Sequence, residues 1–122
     1  MTRILLVDDE LEIVFLTKKM LEKEGYDVRA AKNGKQCMAM LEESRPDLIL
    51  LDIMMPGENG WDVCRKIKEN NKTKAIPVVM FTVRASEDEA EISFEYAHAD
   101  AQINKPFEME ELLRVIREIL KE

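Results

Sequence analysis

Three short runs dominate what this chain can fold into: Ile4–Val7, Asp47–Leu51 after its opening aspartate, and Ile76–Phe81. They carry almost no polar alternation. A strand with one wet face alternates, whereas an unbroken apolar strand is covered on both faces, as in a parallel sheet under helices. Segments of helical period lie between these runs. Leu11–Glu24 places Ile13, Leu16, Met20 and Leu21 at helical spacing, and Gly25 is a candidate stop. Asp27–Ala31 reads as a second strand. Asn33 caps a helix to about Glu43 that carries Cys37, Met38 and Leu41, and Pro46 ends it. Gly57 and Gly60 bracket a loop before a helix over Trp61–Glu69, with Val63, Cys64 and Ile67 on one side. Ser86-Glu87-Asp88-Glu89 matches a capping box and opens a helix to about Ala97. Ala101–Asn104 is a fifth strand. Glu108–Lys121 closes the chain with Met109, Leu112, Ile116 and Ile119 inward.

The expectation is an α/β fold of five strands and five helices in strict alternation, joined by right-handed crossovers. With 122 residues and no linker or repeat, residues 1–122 read as a single domain. No apolar run approaches the roughly 20 residues of a membrane span. The start runs straight into a strand without a signal peptide, so a cytoplasmic protein is expected. A net charge of −7 argues against direct, nonspecific binding of nucleic acid, which needs cations against phosphates. Cys37 and Cys64 show no metal-ligand spacing and read as reduced, partly buried thiols. Met38, Met40, Met54, Met55 and Met80 read as core filler.

The chemistry lies at the ends of the strands. In open parallel sheets, ligands bind beyond the carboxyl ends. Asp8 and Asp9 follow the first strand, Asp52 the third, Thr82 the fourth and Lys105 the fifth. Carboxylates brought that close repel unless a cation neutralises them. A divalent metal and Lys105 would supply that charge, which suggests metal-assisted phosphoryl chemistry. Singly, each residue has a plainer reading: Asp8, Asp9 and Asp52 as turns or caps, Thr82 as a β-branched strand end, Lys105 as a solvated lysine. Their convergence disfavours those readings. His98, the only histidine, reads as a surface residue because it lacks a partner group.

Val7-Asp8-Asp9-Glu10, Leu51-Asp52-Ile53-Met54-Met55-Pro56-Gly57, Phe81-Thr82 and Lys105-Pro106-Phe107 together resemble the signature of response-regulator receiver domains. The resemblance covers the whole chain in order. It implies a flavodoxin-like receiver fold with strand order 2-1-3-4-5. It implies that Asp52 is the phosphoacceptor for a histidine kinase or phosphotransfer protein. Mg2+ would be held by Asp8 (mainly through water), Asp9, Asp52 and the backbone carbonyl of Met54. Thr82 and Lys105 would contact the phosphoryl group, and Lys105-Pro106 would be a cis peptide. The chain would be a switch rather than an enzyme, a monomer or a phosphorylation-dependent dimer, with a downstream protein target and no membrane partner.

Three positions depart from that pattern. Gln102 stands where the family has an aromatic that rotates inward as Thr82 moves. A glutamine in that slot buries an amide, which is costly unless paired, so the aromatic switch is expected to be missing and the output altered. Val83 is larger than the usual residue and narrows access to Asp52. His98 stands where glycine is common. A dehalogenase-type phosphatase and a flavodoxin-type carrier share the fold class. The first needs alternate rather than adjacent aspartates after its first strand, and Asp8-Asp9-Glu10 would repel the phosphate of a flavin.

Overall fold

The computed structural model describes residues 1–55, 57–82 and 91–122, with Thr82 described by its backbone. Pro56, Val83, Arg84 and the Ser86–Glu89 capping box lie outside the described residues.

Strands β1 (Arg3–Val7), β2 (Asp27–Ala31), β3 (Leu48–Asp52), β6 (Val78–Thr82) and β7 (Ala101–Asn104) form one parallel sheet. Its order is β2-β1-β3-β6-β7, the expected 2-1-3-4-5. The loop between Gly57 and Gly60 was not resolved by pattern alone. It holds β5 (Glu58–Asn59), which pairs as a small antiparallel ladder with β4 (Met54–Met55), the segment just before the loop.

The helices are α1 (Leu11–Lys23), α2 (Gly34–Glu43), α3 (Gly60–Glu69) and α4 (Met109–Leu120). Before β7, Ile92–Tyr96 forms a π-helical turn. Local chemistry fixes the ends. Asn33 accepts from the Gln36 amide while the Gln36 side chain accepts from the Lys32 amide, each at 2.8 Å. Asn59 caps α3 through the Trp61 amide at 2.8 Å. At the end of α1, Gly25 has φ +97, a region that side chains disfavour. The Gly25 and Tyr26 amides then close onto the carbonyls of Glu22 and Leu21, the bond pair of a Schellman stop.

Alternate residues of each strand feed two cores. Leu5, Val7, Ile49 and Leu51 meet Cys37, Val63, Cys64 and Ile67 from α2 and α3. Ile4, Leu6, Leu48, Leu50, Phe81 and Ile103 meet Leu21, Leu112, Leu113 and Ile116 from α1 and α4. Each fully buried Leu or Ile contributes about 1.5–3 kcal/mol, so the central strands carry much of the stability.

Three expectations need correction. Thr17 and Leu21 are the buried residues of α1, whereas Leu16 and Met20 stand exposed with Leu11 and Phe15. Helical spacing finds an apolar stripe, but here the stripe is wider than the surface the sheet covers. Met54 is exposed rather than core filler. Cys37 and Cys64 are wholly rather than partly buried, and both are free thiols. His98 is exposed, as expected, and its φ is +61, which explains why glycine suits that turn.

Candidate functional site

The parallel sheet delivers Asp8, Asp52 and Lys105 to one edge because β1 and β3 pair directly and β7 lies one strand beyond β6. Asp8 leaves β1 with its amide bonded to the Ala31 carbonyl at 3.0 Å, and its side chain is fully buried. Asp52 ends β3, opposite Phe81, and is 4% exposed. Lys105 directly follows β7, is joined to Pro106 by a cis peptide and is also buried.

The Lys105 Nζ donates to Asp8 Oδ2 at 2.7 Å and lies 3.7 Å from Asp52 Oδ2. The other Asp8 oxygen accepts from the Glu10 amide at 3.0 Å, and Asp52 Oδ1 accepts from the Met54 amide at 3.2 Å. Phe81 stacks on Phe107 with ring centroids 5.2 Å apart, an apolar wall 5.9 Å from the ammonium. Burial pushes the Asp52 carboxyl up to about 7; Lys105 and the Met54 amide pull it down, and the Asp8 charge pushes it up.

Ligand atoms of Asp8, Glu10 and Asp52 all lie within 4.8 Å of one another. Three carboxylates and one ammonium carry a formal charge of −2, which a divalent cation would balance. The donors are all oxygens, the set hard ions such as Mg2+ prefer. Asp9, expected as a ligand, is half-buried and stands outside this group. Glu10, which sequence reasoning placed in the motif but not in the site, stands inside it and lies 3.8 Å from Lys105. Its position one residue past an adjacent aspartate pair was the available signal. Thr82 closes β6 and pairs in register with Asn104. Gln102 is half-buried on β7, and its side-chain oxygen accepts from the Ser93 hydroxyl.

Residues 4–117 match the response regulator receiver domain. The chain belongs to that family. The receiver is 42% identical over 121 residues to the transcriptional regulatory protein CpxR of Klebsiella pneumoniae, covering 99% of this chain and 50% of that protein. It thus spans about half the length of that curated relative. A CheY-like receiver domain protein from Methanospirillum hungatei JF-1 superposes with a TM-score of 0.90 at 34% identity, covering 99% of this chain and 94% of the other. The receiver domain of sensor histidine kinase PA1611 from Pseudomonas aeruginosa PAO1 superposes with a TM-score of 0.90 at 27% identity over 99% and 98% of the two chains. That structure holds a magnesium ion coordinated in its active site cleft. Among the described residues of this receiver, no helix is long and apolar enough to cross a membrane.

Proposed function

We propose that this receiver is a cytoplasmic, phosphorylation-dependent switch and not a dedicated enzyme. Asp52 accepts a phosphoryl group from the phosphohistidine of a histidine kinase or phosphotransfer protein. The observation that carries this reading is the meeting of buried Asp8, Asp52 and Lys105 at the carboxyl edge of the sheet.

An ionised Asp52 oxygen attacks phosphorus, the P–N bond breaks, and the imidazole nitrogen keeps its electron pair. The product is an aspartyl phosphate. Lys105, held at 3.7 Å from Asp52, is placed to pair with a phosphoryl oxygen as a point charge. Asp8 holds Lys105 there by its 2.7 Å bond. The Phe81–Phe107 wall keeps the ammonium in a less polar surround, where its charge is felt more strongly. Asp8, Asp9, Glu10, Asp52 and the Met54 carbonyl are the groups available to Mg2+. When bound, that ion would neutralise charge on the transferring group. Thr82 would hydrogen-bond the phosphoryl group once formed.

The donor protein has a place to sit. Leu11, Phe15, Leu16 and Met20 are exposed along α1. A groove of about 460 Å³ runs from Glu10 and Lys105 along Ile13, Leu16 and Met20 to Phe107. Its continuity with the site suits a helical face that presents a histidine to Asp52. The downstream target is a protein. Similarity to a transcriptional regulator supports an output that reaches DNA through another module, since a charge of −7 disfavours direct contact.

The test is intact mass after incubation with Mg2+ and acetyl phosphate. One phosphoryl adduct that needs Mg2+ and is absent from Asp52→Asn supports the reading. No adduct with acetyl phosphate or with an active histidine kinase rejects it.

A further inference from the structure

The segment between Asp52 and α3 carries Met54, whose amide donates to Asp52 Oδ1 at 3.2 Å. Its own structure is slight: Met54 and Met55 pair with Asn59 and Glu58, two residues a side. A ladder that short does not hold itself together in water, so its place is set by what it touches. At its far end the Gly60 amide bonds to the Ile53 carbonyl at 2.8 Å, and a Cβ on Gly60 would overlap the Asp52 carbonyl. Met55 is buried in the core that α2 and α3 share.

Glu58 supplies a contact of another kind. Gly34 opens α2, and a Cβ there would overlap the Glu58 carboxylate and the Val63 side chain. The carboxylate therefore lies against bare backbone at the first residue of the helix. The start of a helix carries partial positive charge, which favours an anion there. The Glu58 charge is felt within the first turn of α2, where it adds to the rise of the buried Cys37 thiol. Its other neighbour, Lys66 of α3, is exposed and 3.9 Å away, a pairing worth little in water. Of the four ladder residues only Glu58 is charged, and it meets a helix that the ladder does not adjoin in sequence.

We propose that Glu58 is a positioning residue for the metal: seated on the start of α2, its carboxylate holds the β4–β5 ladder, and with it the Met54 backbone, in place beside Asp52. Glu58 itself stands outside the group formed by Asp8, Glu10 and Asp52, so it acts through Met54 and not as a ligand. Mg2+ demands near-ideal octahedral geometry, so a small displacement of a ligand carbonyl is enough to weaken it. Gly34 is the other half of the contact, since any side chain there displaces the carboxylate. The inference rests on the reading of Asp52 and the Met54 carbonyl as ligands of Mg2+.

Isothermal titration with Mg2+ at physiological ionic strength tests this, with unfolding in chelator to report the fold apart from the metal. Glu58→Ala removes reach and charge, whereas Glu58→Gln removes charge alone. Glu58→Ala is expected to bind Mg2+ about tenfold more weakly, the lower end of the loss when a group that orients a metal ligand is removed. Glu58→Gln should stay within about twofold of wild type, because charges beyond about 8 Å are largely screened. Gly34→Ala changes no charge and should also lose about tenfold, with the double variant Gly34→Ala/Glu58→Ala no weaker than either single one, as for two halves of one contact. Losses that multiply to about a hundredfold in the double variant overturn the proposal. So does Glu58→Ala that binds like wild type, or Glu58→Gln as weak as Glu58→Ala, which would make the effect one of charge. If Gly34→Ala does not fold in chelator, the two Glu58 variants decide alone. Asp52→Asn keeps the two readings apart: Mg2+ binding equal to wild type in that variant puts the ion elsewhere, and the metal reading falls first, taking the role of Glu58 with it.

Discussion

Lys105 belongs to Asp8 before it belongs to Asp52: its ammonium is 2.7 Å from the Asp8 carboxylate and 3.7 Å from that of Asp52. Asp8 thus holds the cation beside the acceptor without spending the acceptor's own oxygens. Lys105→Ala leaves a fully buried Asp8 charge without its partner. Removing one member of a buried pair costs about 3–5 kcal/mol. Urea unfolding at pH 7.5 is expected to show a loss of about 3 kcal/mol in the metal-free protein. A loss below about 0.5 kcal/mol, the scatter of an ordinary surface substitution, would mean that Asp8 is neutralised by something other than Lys105.

The buried acceptor makes stability depend on pH. Asp52 titrates near 7 in the fold, and an unfolded aspartate near about 3.9. The folded state therefore holds a proton that the unfolded state has lost, and stability falls as pH rises between these values. The contribution is complete below about pH 4 and gone above about pH 7. Asp52→Asn, neutral throughout, is expected to stabilise the metal-free protein by on the order of 2 kcal/mol at pH 8. Its advantage should shrink toward pH 5. Thermal melts of both proteins across pH 5–8 check this, and a constant difference would contradict it. Mg2+ competes with the same proton, so its stabilisation of the wild type should grow with pH over this window.

The carboxylate of Glu10 separates two ligand sets. Glu10→Gln keeps the side chain's size and removes its charge from the group formed with Asp8 and Asp52. Isothermal titration with Mg2+ is expected to show weaker binding by about tenfold, roughly 1.4 kcal/mol. An unchanged affinity would return the role to Asp9 alone.

The turn before β7 contains a correctable strain. His98 has φ +61, a conformation that costs a residue with a Cβ about 1 kcal/mol. His98→Gly removes that cost and adds some unfolded-state entropy. A net gain of about 0.5 kcal/mol is expected from denaturant melts. A loss would show that the exposed imidazole makes a contact worth more than the strain.

The thiols are inert in the folded protein. Burial pushes both Cys37 and Cys64 up to about 12, with Glu58 adding to the rise at Cys37. A disulfide-exchange reagent at pH 8 should modify neither in the native state and both in urea. Rapid native reaction of either one would contradict the packing of the core against α2 and α3.

Local chemistry wrote much of the fold into the sequence. Continuous apolar runs require cover on two faces, so Ile4–Val7 and Leu48–Leu51 could only be central parallel strands. Asn33 and Gly25 marked helix ends because capping and left-handed backbone depend on one residue at a time. The site was legible for a related reason. Residues that follow parallel strands arrive at one edge, so Asp8, Asp52 and Lys105 could be grouped before any distance was known. Tertiary structure decided which neighbours these groups chose. Lys105 bonds to Asp8 more closely than to Asp52, Glu10 joins the carboxylates while Asp9 stands aside, and Leu16 and Met20 stay outside the core. It also gave the Gln102 amide its partner, a serine nine residues earlier that belongs to another element. Periodicity records which residues share a face. Which faces meet depends on the angle and separation of whole elements, and those are set only when all the layers pack together.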